Sequence, residues 1–119
     1  MDEGARLRSL YDAFNARDLD ALVAAMTDDV DWPNAWEGGR LNGRDAVREY
    51  WIRQWAQIGP RLELQAITGR PDGRFAVTVR QVVRSVSGES LGEGEVVHVY
   101  DLRDGLIARM TVEEPPASE

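Results

Sequence analysis

Apolar positions in the first half of the chain recur with a helical period. Leu7, Leu10, Tyr11 and Phe14 fall at i, i+3, i+4 and i+7, which predicts a helix over Ala5–Ala16 with one buried stripe. Asp2 and Glu3 stand at its start, where the helix dipole favours negative charge. Asn15–Asp18 reads as a turn. Asp18 can cap a second helix, Leu19–Met26, whose buried stripe is Leu22, Val23 and Met26. Thr27-Asp28-Asp29 ends that helix and leads into a short strand, Val30-Asp31-Trp32. Pro33 lacks an N–H, so the strand stops there or runs on at an edge. Asn34–Gly43 reads as irregular, with Gly38-Gly39 its most flexible point. Asn42 is the expected cap of a third helix, Arg44–Gln57, in which Val47, Trp51, Trp55 and Ile58 form one stripe flanked by Tyr50 and Gln54. Gly59-Pro60 is the expected terminator.

The second half changes to period two. Strands are predicted over Arg61–Thr68, Phe75–Val86, Glu93–Leu102 and Leu106–Glu113, separated by turns at Gly69–Gly73, Gly88-Glu89 and Arg103–Gly105. The tail, Glu114–Glu119, is expected to be loose. Helices followed by an antiparallel meander predict an α+β fold, with three N-terminal helices packed on one face of a curved sheet.

Facing follows from the turn. If Gly88-Glu89 is a two-residue hairpin turn, His98 lies opposite Val79, Tyr100 opposite Val77, Leu102 opposite Phe75 and Val96 opposite Gln81. That face is apolar apart from His98, Gln81 and the Tyr100 hydroxyl, so it should meet the helices. The other face pairs Arg84 with Glu93 and sets Arg80 diagonally from Glu95, which suits a wet face or an interface.

Composition narrows the chemistry. The chain has 119 residues, 43% of them hydrophobic and 29% charged, which predicts one soluble domain over residues 1–119. A net charge of −7 disfavours a nucleic-acid backbone as partner. No basic amphipathic stretch suggests membrane docking, and no apolar run is long enough to span a bilayer. The absence of cysteine rules out disulfides, thiolate metal sites and a cysteine nucleophile, and with no secretory pattern at the N-terminus a cytoplasmic location is expected. One histidine and no clustered carboxylates predict no metal site and no cofactor.

The local strings resemble a known family. Y-D-A-F-N-A-R-D-L-D-A-L, T-D-D-V-D-W-P, L-N-G-R-D-A-V-R-E-Y-W and H-V-Y-D-L-R-D-G-L-I, in this order, are similar to the NTF2-like superfamily, and especially to its SnoaL-like and ketosteroid-isomerase-like branch. The resemblance implies a cone of three helices wrapped by a strongly curved, mainly antiparallel sheet. It also implies one small-molecule pocket and a homodimer formed through the outer sheet face, here the one bearing Arg80, Arg84, Glu93 and Glu95. The steroid-isomerase arrangement is not retained. The position of its helix tyrosine is Leu10, with Tyr11 one step round; its aspartate base matches Asn34; and its third polar group matches His98.

The expected site lies between the two ends of Val30–Trp55, which holds all four tryptophans. His98 is the expected proton-transfer group, titrating within about two units of pH 6.5. Asp31 and Asn34 are the further candidates for chemistry, Asp31 as a second acid/base group and Asn34 as a donor to a carbonyl or enolate oxygen. Trp32, Trp36, Glu37, Tyr50, Trp51, Trp55, Gln81 and Tyr100 are expected to contact the ligand. Bland readings stand beside these: His98 satisfied in the core by Gln81 or a helix side chain, Asp31 exposed with Trp32 inside, Asn34 in a turn and Glu37 solvated. Two functions follow. One is a cofactor-independent acid–base enzyme of SnoaL-like type, isomerising, cyclising or hydrating a carbonyl-containing, partly apolar metabolite. The other is a binding or accessory module without turnover. The single inward histidine beside polar amides tips the reading to the enzyme.

Overall fold

Helix α1 (Glu3–Asn15) buries the stripe of Leu7, Leu10, Tyr11 and Phe14 that its spacing predicts. The computed structural model describes residues 3–34 and 38–113, so Asp2 and the tail Glu114–Glu119 lie outside the described residues. Helix α2 (Leu19–Ala24) is capped by Asp18, which accepts from the Ala21 N–H at 3.2 Å, but it stops short of Met26. Met26 instead opens strand β1 (Met26–Pro33). The reason is a partner strand. Met26 lies beside Ile107 and Asp31 beside Arg109 in a parallel ladder, which satisfies backbone groups that a helix end would leave open. The Met26 side chain is nonetheless fully buried.

The stretch before the third helix is more regular than its sequence suggests. Gly38 and Gly39, at φ 91° and 80°, turn the chain so that β2 (Arg40–Asn42) runs back along Asp31–Pro33. Asn42 lies in that ladder opposite Asp31 and caps nothing. Gly43 takes the N-cap position of α3 (Arg44–Gln57), without a side-chain hydrogen bond, and its N–H donates to the Val30 carbonyl at 2.8 Å. The chain leaves α3 directly as β3 (Ile58–Gly69). Gly59 and Pro60 are therefore strand residues and not a helix stop, and Pro60 is tolerated because β3 is an edge strand.

Strands β4 (Phe75–Ser85), β5 (Ser90–Arg103) and β6 (Leu106–Glu113) complete one sheet of order β2-β1-β6-β5-β4-β3. Neighbours are antiparallel except β1 and β6. The core joins the buried stripes of the helices to one face of this curled sheet, the α+β, NTF2-like cone.

The β4–β5 turn differs from the expected one. Four residues, Val86–Glu89, link the strands, and the Ser85 N–H donates to the Glu89 carbonyl at 2.8 Å. The register moves by two: His98 lies opposite Val77, Tyr100 opposite Phe75 and Val96 opposite Val79. A shift of two preserves faces, so His98, Tyr100 and Gln81 still point toward the helices. On the outer face Arg80, not Arg84, holds Glu93, at 2.8 Å; Glu95 is directly opposite Arg80, and Arg84 is opposite Ser90. Asp104 and Gly105, at φ 55° and 80°, form the tight Asp-Gly turn that the sequence predicts.

Both ends of α1 are fastened to the sheet. Arg6 donates to the Gly105 carbonyl at 2.9 Å. Asn15 accepts from the Leu62 N–H at 2.9 Å and donates to the Leu62 carbonyl at 2.7 Å. Asn15 thus acts as the strand partner that the free edge of β3 lacks.

Gly43 is the backbone hinge on which α3 is aimed. Its φ of 90° and ψ of 156° lie in a region open essentially to glycine alone. Gly43→Ala should therefore cost about 1–3 kcal/mol although a Cβ there meets nothing closer than 3.6 Å. Thermal or urea unfolding measures it, and a variant as stable as the parent would contradict the assigned conformation.

Candidate functional site

The three helices and the inner sheet face enclose a cavity of about 310 Å³. Each element contributes to it for a reason visible in its periodicity. On β1, Val30 and Trp32 point inward and Asp31 outward. Trp32 meets Trp51 of α3 edge to face, with centroids 5.4 Å apart, and Phe14 of α1 meets Trp51 in the same manner at 5.8 Å. These rings form an aromatic wall. Tyr50 stands next to Trp51 and its hydroxyl accepts from Gln54 at 2.8 Å. From the sheet come Gln81 on β4, and His98 and Tyr100 two residues apart on β5.

The polar centre is a buried chain of three side chains. The Tyr11 hydroxyl lies 2.7 Å from His98 Nδ1 and 2.6 Å from the Tyr100 hydroxyl. The Tyr11 and His98 rings are stacked at 6.0 Å, and Tyr100 meets each of them edge-on at 6.4 Å. Burial depresses His98 from 6.5 to about 4, so the imidazole is neutral at neutral pH. Burial also pushes both phenols up, for Tyr11 with help from the neighbouring Tyr100. None of the described residues lining the cavity is a carboxylate, a guanidinium or an ammonium group.

Proton counting fixes what this chain can offer. Each neutral member carries one polar hydrogen. When Tyr11 uses its own hydrogen in one of the two internal bonds, the unshared hydrogen sits at one end of the chain. Either His98 Nε2 bears it and the Tyr100 oxygen is left as an acceptor, or the Tyr100 O–H points outward and Nε2 is the acceptor. One end then donates while the other accepts. His98 is 7% exposed and Tyr100 1%, so the histidine is the end nearer solvent.

Of the residues expected at the site, Trp32, Tyr50, Trp51, Gln81, His98 and Tyr100 line the cavity. Trp55 does not; it stacks behind Trp51 at 5.9 Å, under the Arg17 guanidinium. Asp31 is turned away from the cavity. It is held by Arg40 at 2.5 Å and Arg109 at 3.4 Å on the outer face, which is what strand alternation requires once Trp32 is inside. Asn34 is buried, and its backbone closes the loop onto Gly38 and Gly39, but it is not among the lining residues. Trp36 and Glu37 lie outside the described residues. His98 bonds to Tyr11 of α1, the helix side chain that its bland reading allows as a partner beside Gln81. Tyr11 is the site residue that sequence reasoning passes over. Its signal was available: a tyrosine on a fully buried helix stripe must find a partner for its hydroxyl.

A model of the SnoaL-like domain matches residues 7–110. The chain belongs to the SnoaL-like family. None of the curated proteins compared with it matches. Solved structures repeat the fold. An NTF2-like protein of unknown function from Burkholderia pseudomallei is 25% identical, with a TM-score of 0.82 over 97% of this chain and 92% of its own. TerC, co-crystallised with polyporic acid, is 23% identical, with a TM-score of 0.81 over 95% and 91%. Rv0760c from Mycobacterium tuberculosis, in complex with estradiol-17beta-hemisuccinate, is 20% identical, with a TM-score of 0.76 over 89% and 88%.

The depressed His98 has a measurable consequence for stability. The unfolded chain takes up the proton near pH 6.5 and the folded protein only near 4. Between those values the unfolded state binds more protons, so stability falls as the pH is lowered from about 6.5 to about 4. The loss is on the order of 3 kcal/mol at about 1.4 kcal/mol per unit. His98→Gln should flatten that part of the curve in urea unfolding at stepped pH. An unchanged slope would mean that the imidazole is not buried and neutral.

Proposed function

We propose that the protein is a SnoaL-like enzyme that performs cofactor-independent acid–base chemistry on a carbonyl-containing, partly apolar metabolite, by isomerisation, cyclisation or hydration. The Tyr11–His98–Tyr100 chain at the wall of an aromatic cavity is the observation that carries this reading. His98 works as a neutral imidazole. Its Nε2–H polarises the ligand carbonyl, and its Nδ1 exchanges a proton with Tyr11, which also fixes the ring. The aromatic wall takes the apolar part of the ligand and Gln81 a second oxygen. That TerC and Rv0760c were crystallised with polyporic acid and with an estradiol ester is in keeping with a ring-bearing ligand. The protein works as a homodimer through the outer sheet face, where Arg80 bridges Glu63 and Glu93 beside buried Val97 and Val99.

One observation favours a second reading, a binding module without turnover. Among the described residues the cavity lacks a carboxylate base, since Asp31 is committed to arginines outside it.

A panel of neutral aromatic ketones and quinones separates the two. Binding is followed by quenching of Trp32 and Trp51 fluorescence and turnover by absorbance. For the enzyme, His98→Gln should lower the chemical step by about 10²–10⁴-fold and spare affinity. Activity should be level through neutrality and decline as the pH falls through about 4, where the imidazole gains its second proton. This replaces the titration nearer pH 6.5 that an unburied histidine would give. Turnover unaffected by His98→Gln would remove His98 from the chemistry, and ligands bound without turnover across the panel would leave the binding module.

A further inference from the structure

We propose that the Tyr100–Tyr11–His98 chain is a proton relay, and that the substrates it serves are neutral, aryl-bearing enols. The proposal rests on the acid–base reading above and adds a substrate class and a route for the proton. Its basis is the count of hydrogens: with Tyr11 donating within the chain the two ends are of opposite polarity, and they exchange polarity when every hydrogen moves by one place. Both ends belong to residues that line one cavity, and bonds of 2.7 and 2.6 Å meeting at one hydroxyl keep them within reach of a single small ligand. An enol is the ligand that matches both ends, because it gives a proton at oxygen and takes one at carbon.

The step balances without an external acid or base. The enol O–H donates its proton to the Tyr100 oxygen, Tyr100 passes its own to Tyr11, and Tyr11 passes its own to His98 Nδ1. His98 releases the Nε2 proton to the substrate carbon. One ligand O–H bond breaks and one C–H bond forms. The electron pair of the C=C bond makes the C–H bond, and the pair left on oxygen makes the C=O bond. The protein ends in its other tautomer, which is competent for the reverse reaction, and returns to the first by exchange with water. No member is charged at any stage, which suits a cavity whose described lining holds no charged group to stabilise an ion. Aryl selectivity comes from the Trp32, Trp51 and Phe14 rings.

The probe is 1-phenyl-1,3-butanedione, added as its enol from an apolar stock, with ketonisation followed by loss of the enol absorbance. The relay predicts an acceleration of about 10²–10⁴-fold over buffer. In mixtures of H2O and D2O the rate should curve with isotope fraction, because several protons are in flight. Tyr11→Phe removes the middle of the chain and keeps both ends. It should abolish at least nine-tenths of the acceleration and the curvature while the dissociation constant, read by tryptophan quenching, changes less than about threefold. A linear isotope plot in the unaltered protein would overturn the relay whatever the fate of the variant. So would a folded Tyr11→Phe that keeps the rate. Binding without acceleration overturns the relay and leaves the aromatic-carbonyl pocket standing; no binding overturns both.

Discussion

The hydroxyl of Tyr11 is where this fold meets its own constraint. A helix and a sheet that face each other across an apolar interior cannot leave a phenol or an imidazole unpaired there, since an unmet buried polar group costs about 1–3 kcal/mol. Three such groups, from α1 and β5, satisfy one another. The distances demand that α1 be held against the sheet to within a fraction of an ångström. Asn15 at β3 and Arg6 at the β5–β6 turn supply that restraint from opposite ends of the helix. The polar centre and the seating of the helix are therefore one problem with one solution.

The charges of the chain are arranged around that centre and not in it. Arg40, Arg109 and Asp31 pair outside, as do Arg70 with Glu113, Arg80 with Glu63 and Glu93, and Arg103 with Asp29. Such partly exposed pairs contribute little to stability, about 0–1 kcal/mol each. Their effect on the site is indirect. A guanidinium inside the cavity would draw the phenols toward ionisation, and a carboxylate would hold His98 protonated. With the paired charges outside, desolvation is the main cause acting on all three members, and it holds each of them neutral.

Much of this was legible in the order of residues. The helix stripes, the period-two second half and the Asp-Gly turn are local signals, and they place the α+β cone. The inward facing of His98 and Gln81 is kept despite the different register because faces depend only on parity, and the longer turn together with the β-bulge beside it moves the register by two. What failed were features decided by distant partners. Met26 has the spacing of a helix residue, but β6 offers it a ladder. Arg40–Asn42 is a strand because β1 leaves an edge beside it. Asp31 faces outward with Trp32 inside, which is its bland reading, because strand alternation gives the interior to only one of the two. Tyr11 was read as core because its spacing is that of core, and spacing reports the ring and is blind to the hydroxyl.

The way into the cavity gives the two ends of the chain different tasks. Val112 both lines the cavity and is 44% exposed, and it lies directly opposite His98 in the β5–β6 ladder. Tyr100 stands two residues further along β5, opposite Met110, and is 1% exposed. A ligand passing Val112 therefore meets the imidazole first and the phenol last. His98 is the less buried of the two ends, and on the proposed reading it carries the unshared proton and offers the entering group a donor. On the proposed acid–base reading a ligand carbonyl engages there, while the deep oxygen takes the hydrogen that the ligand brings. The order in which an entering ligand would meet the two ends thus follows from where β6 pairs with β5.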